Sequence, residues 1–194
     1  MKYFYLNIFL ITILIFIFTN TDYSNVFSSS ISTKIAFPTM IPTPTPTIAL
    51  PVRLIVQKLS INTLIEPVSV DVNNIVEVPD DWDKAGWYSK AVKPGEAGTA
   101  VIVGHYDNQL GDPAIFYYLN QLEKGDKIMV LTGDNKELYF IVKQKATLPY
   151  WSSIDDLMST DKNRNLILVT CAGWWNQALQ SYSERLVVSA VRDN

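Results

Sequence analysis

One cysteine and one histidine serve the whole 194-residue chain. A lone Cys cannot close an intrachain disulfide, so outside the cytoplasm it is either an intermolecular bridge or a reactive thiol. One Cys and one His also fall short of the three or four ligands a zinc site needs. No metal and no cofactor is therefore expected, since Asp107 and Asp112 add little as oxygen donors. Positive charge is sparse as well. Sixteen Lys and Arg stand against 19 Asp and Glu, for a net charge of −3, and they form no basic run. That excludes nucleic acid as a partner.

What is there begins with apolar residues. Tyr3 to Phe18 is almost wholly apolar and is preceded by Lys2. A spanning helix needs roughly 17–25 such residues, so the run is short but workable. A cleaved signal peptide competes with this reading, yet no Ala-x-Ala site comes after the run. Residues 1–20 are read as an uncleaved signal anchor, a transmembrane helix, with the rest of the chain outside the cell membrane. Residues 21–50 are a Ser/Thr/Pro-rich linker that reaches Pro42-Thr-Pro-Thr-Pro46 before Pro51. Such composition cannot bury enough surface to offset its ordering entropy. As a flexible coil it would hold a domain about 30 Å from the bilayer.

Residues 51–194 read as one domain of dense short strands. Arg53 to Leu59, Thr63 to Val70 and Thr99 to Val103 are strand-like runs. Asp71-Val-Asn-Asn74 is a turn, and Pro79-Asp-Asp-Trp-Asp83 an acidic loop. Asp112 and Pro113 are placed to open a helix carrying Ile115, Phe116, Leu119 and Leu122, with Gly125 as its stop. Lys127–Leu131 and Leu138–Lys145 predict a hairpin around Thr132-Gly-Asp-Asn135. The connection Pro149 to Asn165 holds a short helical piece capped by Ser152 or Ser153, with Ile154, Leu157 and Met158 as its apolar residues. About eight short strands with one or two small helices predict a mainly β fold, a closed or nearly closed eight-stranded barrel.

The chemistry-bearing residues sit at the ends of such runs. Leu166 to Thr170 leads into Cys171, Thr99 to Gly104 leads into His105, and Arg185 opens Leu186-Val-Val-Ser-Ala190. A thiolate is the nucleophile, but a free Cys at neutral pH is only a few per cent ionised unless a base or positive field helps. Imidazole can take that proton or pass it to a leaving amine. A guanidinium cannot deprotonate, so it supplies fixed donors to a developing oxyanion. Together they suit acyl transfer through a thioester. Individually, each also has an ordinary structural explanation: a packed thiol, a loop histidine, a surface charge. Asp107 could orient His105 or simply cap a turn.

Ile167-Leu-Val-Thr-Cys171, with Gly104-His105 upstream and Arg185-Leu-Val-Val downstream, resembles the sortases, the cysteine transpeptidases of bacterial surfaces. Glu77-Val-Pro-Asp-Asp, Gly86-Trp-Tyr and Pro94-Gly-Glu-Ala-Gly extend the resemblance over most of Val52 to Arg192, nearest to the compact class E or class F members. The family signature is Thr-Leu-x-Thr-Cys; Ile167 replaces its first Thr. The resemblance implies Cys171 as nucleophile, His105 as general acid/base and Arg185 as oxyanion or substrate holder. Thr170 would line the substrate channel. It further implies a secreted protein with a C-terminal Leu-Pro-x-Thr-Gly-like sorting signal, cut after Thr and joined to an amine of a wall precursor or pilin. Tyr150, Trp151, Ile154 and Leu157 are candidates for the floor under the Leu-Pro pair, and Trp174, with Trp175 beside it, for a further substrate contact. Two other readings stand beside this one: a cysteine peptidase that releases its substrate to water, and a non-catalytic surface β-module. The cysteine L,D-transpeptidases carry His-Gly before their Cys, whereas this chain has Val169-Thr170.

Overall fold

A computed structural model describes residues 47–158 and 163–193. The expected anchor, nearly all of the linker, and Ser159 to Lys162 of the long connection lie outside the described residues. Among those described, no helix is long and apolar enough to cross a membrane.

Eight strands close into one barrel: β1 (Pro51–Val56), β2 (Ile61–Val68), β3 (Ala85–Tyr88), β4 (Gly98–Val103), β5 (Lys127–Thr132), β6 (Glu137–Pro149), β7 (Arg164–Asn176) and β8 (Ser181–Arg192). Their order around the barrel is β1-β2-β3-β4-β7-β8-β6-β5, and β5 pairs back onto β1. Only β2–β3 and β4–β7 are parallel. A parallel pair needs a long crossover. Between β4 and β7 that crossover comprises residues 104–126, the β5–β6 hairpin and the connection that follows Pro149.

Period-two alternation sorts the side chains into two cores. Ala100, Ile102, Leu166, Leu168, Val188 and Ala190 point into the barrel with Leu54, Val130 and Phe140. Val101, Val103, Ile167, Val169 and Val187 point the other way, into a second apolar cluster with Tyr88 and Ile154. Strands buried on both faces read as continuous apolar runs, which is why Leu166 to Val169 shows no alternation in sequence. Helix α1 (Ile154–Leu157) covers the second cluster. Ser153 begins it, and its backbone N–H donates to the Asp156 carboxylate at 2.7 Å.

Two expectations fail. The helix expected after Asp112 is not α-helical. The Phe116 N–H, the first that an α-helix capped by Asp112 would bond internally, donates to the His105 carbonyl, while those of Ala114 and Ile115 donate to Tyr106 and Trp82. From there the chain continues as a series of three-residue turns ending in the 3-10 helix Leu119–Gln121. Phe116, Leu119 and Leu122, all fully buried, are spaced by three, the period of a 3-10 turn rather than an α-helix. Second, β7 and β8 do not stop at Cys171 and start at Arg185. They run on as a hairpin through Asn176 and Ser181. Gly173, at φ +80°, lies in the register shift between Ala172 and Trp175, so it bends the strand without ending it.

Candidate active site

Strand register brings the three rare residues together. In the antiparallel β7–β8 pair Cys171 is directly opposite Arg185; such partners are about 4.5–5.5 Å apart at Cα. On the other side, β4 and β7 pair in parallel as far as Val103 and Val169, and Gly104 N–H donates to the Val169 carbonyl at 3.1 Å. Two residues further along each strand are His105 and Cys171. By the same alternation, 101, 103 and 105, 167, 169 and 171, and 187 and 185 share the outer face of the sheet. The row His105–Cys171–Arg185 thus continues the second apolar cluster to its edge, where all three line one cleft of about 70 Å³.

His105 is held from a loop that precedes it by more than twenty residues. Its Nε2 is 2.7 Å from the Pro79 carbonyl oxygen, and the Trp82 ring packs on the imidazole with centroids 4.1 Å apart. A carbonyl can only accept, so Nε2 carries a hydrogen; in the neutral ring Nδ1 is then left as the acceptor. Nothing in the residue pattern around Trp82 points to this contact, because the acidic loop carries no motif that names its partner.

Cys171 is half-buried and free. Burial pushes its thiol above the ordinary value; Arg185 pulls the other way and Asp107 adds to the rise. The thiol form therefore prevails at neutral pH. Arg185 is braced by its own strand: Nη1 donates to the Glu184 carbonyl at 2.9 Å and the Tyr182 carbonyl at 3.3 Å, and Nη2 to Ser181 Oγ at 3.2 Å. A guanidinium has five N–H donors, so Nε–H and part of Nη2 are left without a partner among the described hydrogen bonds. Asp107 does not reach His105 in any described hydrogen bond; its carboxylate accepts the Tyr182 hydroxyl.

The cleft is apolar beyond the sulfur. Val103 and Val169 form its floor, Ile75, Val76 and Val78 one wall, and Ser152 and Leu157 the other. The walls are tied together, for Ile154 N–H donates to the Asn74 carbonyl at 3.1 Å. Thr170 also lines it, but its hydroxyl is spent on the Gly104 carbonyl at 2.8 Å, pinning β7 to the residue before His105. Of the residues expected to hold a substrate, Leu157 faces the cleft. Ile154 lies beneath, only 3% exposed. Tyr150, Trp151 and Trp174 are not among its lining residues, and Trp151 and Trp174 are 65% and 64% exposed. The Ile75–Val78 wall escapes a reading of the sequence, because Asp71 to Asn74 reads only as a turn. No group of His, Cys, Asp and Glu with metal-binding spacing occurs among the described residues.

Residues 54–193 match the family model for the sortase domain. The chain belongs to the sortase family, the cysteine transpeptidases. The fold agrees with solved sortases at low identity. Sortase C1 of Streptococcus agalactiae superposes with a TM-score of 0.58 at 18% identity, over 74% of this chain and 67% of that one. For sortase C-1 of Actinomyces oris the values are 0.57, 21%, 74% and 75%. A Clostridium perfringens sortase D5 transpeptidase gives 0.56, 19%, 74% and 79%. None of the curated proteins matches the chain.

Proposed function

We propose that Cys171 attacks the Thr–Gly amide of a Leu-Pro-x-Thr-Gly-like sorting signal and that the resulting thioester is passed to a surface amine. The observation that carries this is the convergence of thiol, imidazole and guanidinium on a single apolar-walled cleft from three adjacent strands. Sγ bonds to the threonine carbonyl carbon while His105 takes the thiol proton at Nδ1. The Arg185 donors left over from its backbone contacts face the oxyanion that forms. When the intermediate collapses, the C–N bond breaks and His105 returns the proton to the departing glycine amine. The acceptor amine then attacks the thioester and loses a proton to His105; as the C–S bond breaks, His105 passes that proton to the leaving sulfur and the thiol is restored.

The apolar walls formed by Ile75, Val76, Val78 and Leu157 suit the Leu-Pro part of the signal. Residues 1–20 are proposed as the membrane anchor and 21–50 as a stalk. That arrangement leaves residues 51–194 outside the cell, within reach of secreted proteins paused in the membrane and of wall-precursor or pilin amines. Gly86-Trp-Tyr and Pro94-Gly-Glu-Ala-Gly support a compact class E or F member.

Incubation of the full chain with a library of Leu-Pro-x-Thr-Gly peptides, with and without triglycine or a diamino acid, tests the reading. The expected products are a thioester on Cys171 by mass spectrometry and a peptide joined to the acceptor. Hydrolysis that rises with enzyme while acceptor never enters product would leave a cysteine peptidase instead. Absence of any Cys171 adduct would leave a non-catalytic module.

A further inference from the structure

Two segments run on from the strands that carry the site. One comes directly after β4 and contains His105, Tyr106 and Asp107; the other is the β7–β8 hairpin, which carries Trp175, Tyr182 and Arg185. They meet at Tyr182. Its hydroxyl donates to the Asp107 carboxylate, two residues beyond His105. Its ring meets Tyr106 edge-on at 5.4 Å and Trp175 at 5.3 Å. Its own carbonyl accepts from Arg185 Nη1. Tyr106 is in turn stacked on Tyr117 at 4.6 Å, so the histidine loop is firmly seated where Tyr182 grips it.

We propose that Tyr182 is a positioning residue that latches the β7–β8 hairpin to the histidine loop and so fixes Arg185 relative to His105 across Cys171. The inference rests on the catalytic role proposed for these three residues. Beyond Glu184 the hairpin has no other strand alongside it, only the Tyr150 N–H that donates to the Ser183 carbonyl at 3.1 Å, and β4 ends at Val103. Ring contacts with Tyr106 and the one hydroxyl–carboxylate bond therefore carry the hold between hairpin and loop. The phenol remains a donor throughout the working range, because burial and the Asp107 carboxylate push its proton well above the ordinary value. Arg185 takes its place from this hold directly, through the Tyr182 carbonyl.

The test is a set of four full-chain variants: Y182F, D107A, D107N and the double variant Y182F/D107A. Asn keeps a carbonyl oxygen that can accept the tyrosine hydroxyl, so D107N removes the charge and keeps the latch. With a Leu-Pro-x-Thr-Gly peptide, Y182F and D107A should each lower kcat about tenfold, the scale of one hydrogen bond to a charged group. Peptide KM should shift less than about twofold, since the apolar walls are untouched. D107N should keep most of the activity, and the double variant should lose no more than the worse single one. A second measurement does not depend on the peptide. In Y182F, amide hydrogen exchange should quicken about tenfold over Ala172 to Glu184 and at Tyr106 to Asn108, while β5 stays protected.

Unchanged exchange in Y182F overturns the latch, as do single losses that multiply in the double variant, or a D107N loss matching that of D107A. Should wild type consume no peptide at all, the catalytic reading fails and the exchange data alone decide whether the latch exists.

Discussion

Arg185 stands directly across the β7–β8 ladder from Cys171, with its guanidinium tied back to the Tyr182 and Glu184 carbonyls of its own strand. An arginine held this way cannot swing far, and its remaining donors point where strand geometry sends them. Removing one preorganised oxyanion donor costs roughly 10²–10³ in rate. R185A is therefore expected to lower kcat by about that factor with a smaller change in KM. R185K should recover little, because an ammonium on a flexible stem lacks the planar fork that fits both the backbone braces and the oxyanion. Steady-state kinetics with a sorting-signal peptide decide the matter; full recovery by Lys would mean that charge alone suffices.

The thiol's proton affinity gives a prediction with a definite sign. Burial raises it, Arg185 lowers it and Asp107 raises it. Alkylation of Cys171 by iodoacetamide should thus have its pH midpoint above that of a free thiol. R185A should move that midpoint further up, and D107N should move it down. Stability is tied to the same shift by linkage. A group that holds its proton more tightly when folded contributes stability below its unfolded pKa and loses it as pH rises past that value. Wild type should accordingly lose stability relative to C171A on the alkaline side of the ordinary thiol range, and match its pH dependence below. A midpoint below the free-thiol value would show that Arg185 outweighs burial.

How much of this site is legible in the chain alone divides along physical lines. Cys171, His105 and Arg185 stand out because each is attached to a β-branched run, and strand register then does the assembling. The barrel is legible for the same reason. His105's support is not: Pro79 and Trp82 reach it through tertiary packing that leaves no periodic trace. The segment from Asp112 to Leu122 carries the right apolar residues, all buried as expected at Phe116, Leu119 and Leu122. Its helix type differs from the expectation because the first N–H that an α-helix would bond internally, that of Phe116, goes to the His105 carbonyl, and the following ones bond three residues back, Tyr117 to Ala114 and Leu119 to Phe116. The Leu166–Thr170 run reads as ending at Cys171, whereas Gly173, at positive φ, absorbs a bulge and lets the ladder resume.

The apolar cleft predicts an asymmetry among the residues flanking it. Leu157 lines the cleft; Trp151 and Trp174 do not, and both are mostly exposed. Truncating an apolar contact that a substrate buries costs on the order of 1.5–3 kcal/mol. L157A should then raise the KM for a Leu-Pro-containing peptide by roughly tenfold or more while kcat for a saturating peptide holds. W151A and W174A should change KM by less than about threefold, as exposed side chains outside the pocket contribute little. If a tryptophan variant showed the larger effect, the peptide would have to lie across the hairpin and not between the Ile75–Val78 wall and α1.

Gly104 is where fold and site depend on the same atom. Its N–H donates to the Val169 carbonyl at 3.1 Å and its carbonyl accepts from Thr170 Oγ1 at 2.8 Å, so the backbone there is clamped from both sides. A Cβ added to it would come within 2.7 Å of Phe116 Cδ2 and 2.9 Å of Ile115 Cγ2. Phe116 is fully buried and cannot swing aside. G104A should therefore force strain of about 1–3 kcal/mol, lowering Tm by roughly 2–12 °C for a domain of this size. Because His105 is the next residue, activity at a temperature where the variant is folded should fall as well. Gly133 supplies the contrast: a Cβ there would find nothing nearer than Val52 Cγ1 at 3.6 Å, and its backbone is not at positive φ. G133A should leave activity alone and hold or slightly raise Tm, through the smaller entropy of its unfolded chain. Thermal melts paired with peptide turnover well below the variant's Tm separate the two cases. A G104A protein as stable and as active as wild type would mean that Phe116 can move, and that the histidine is not positioned through the backbone clamp at Gly104.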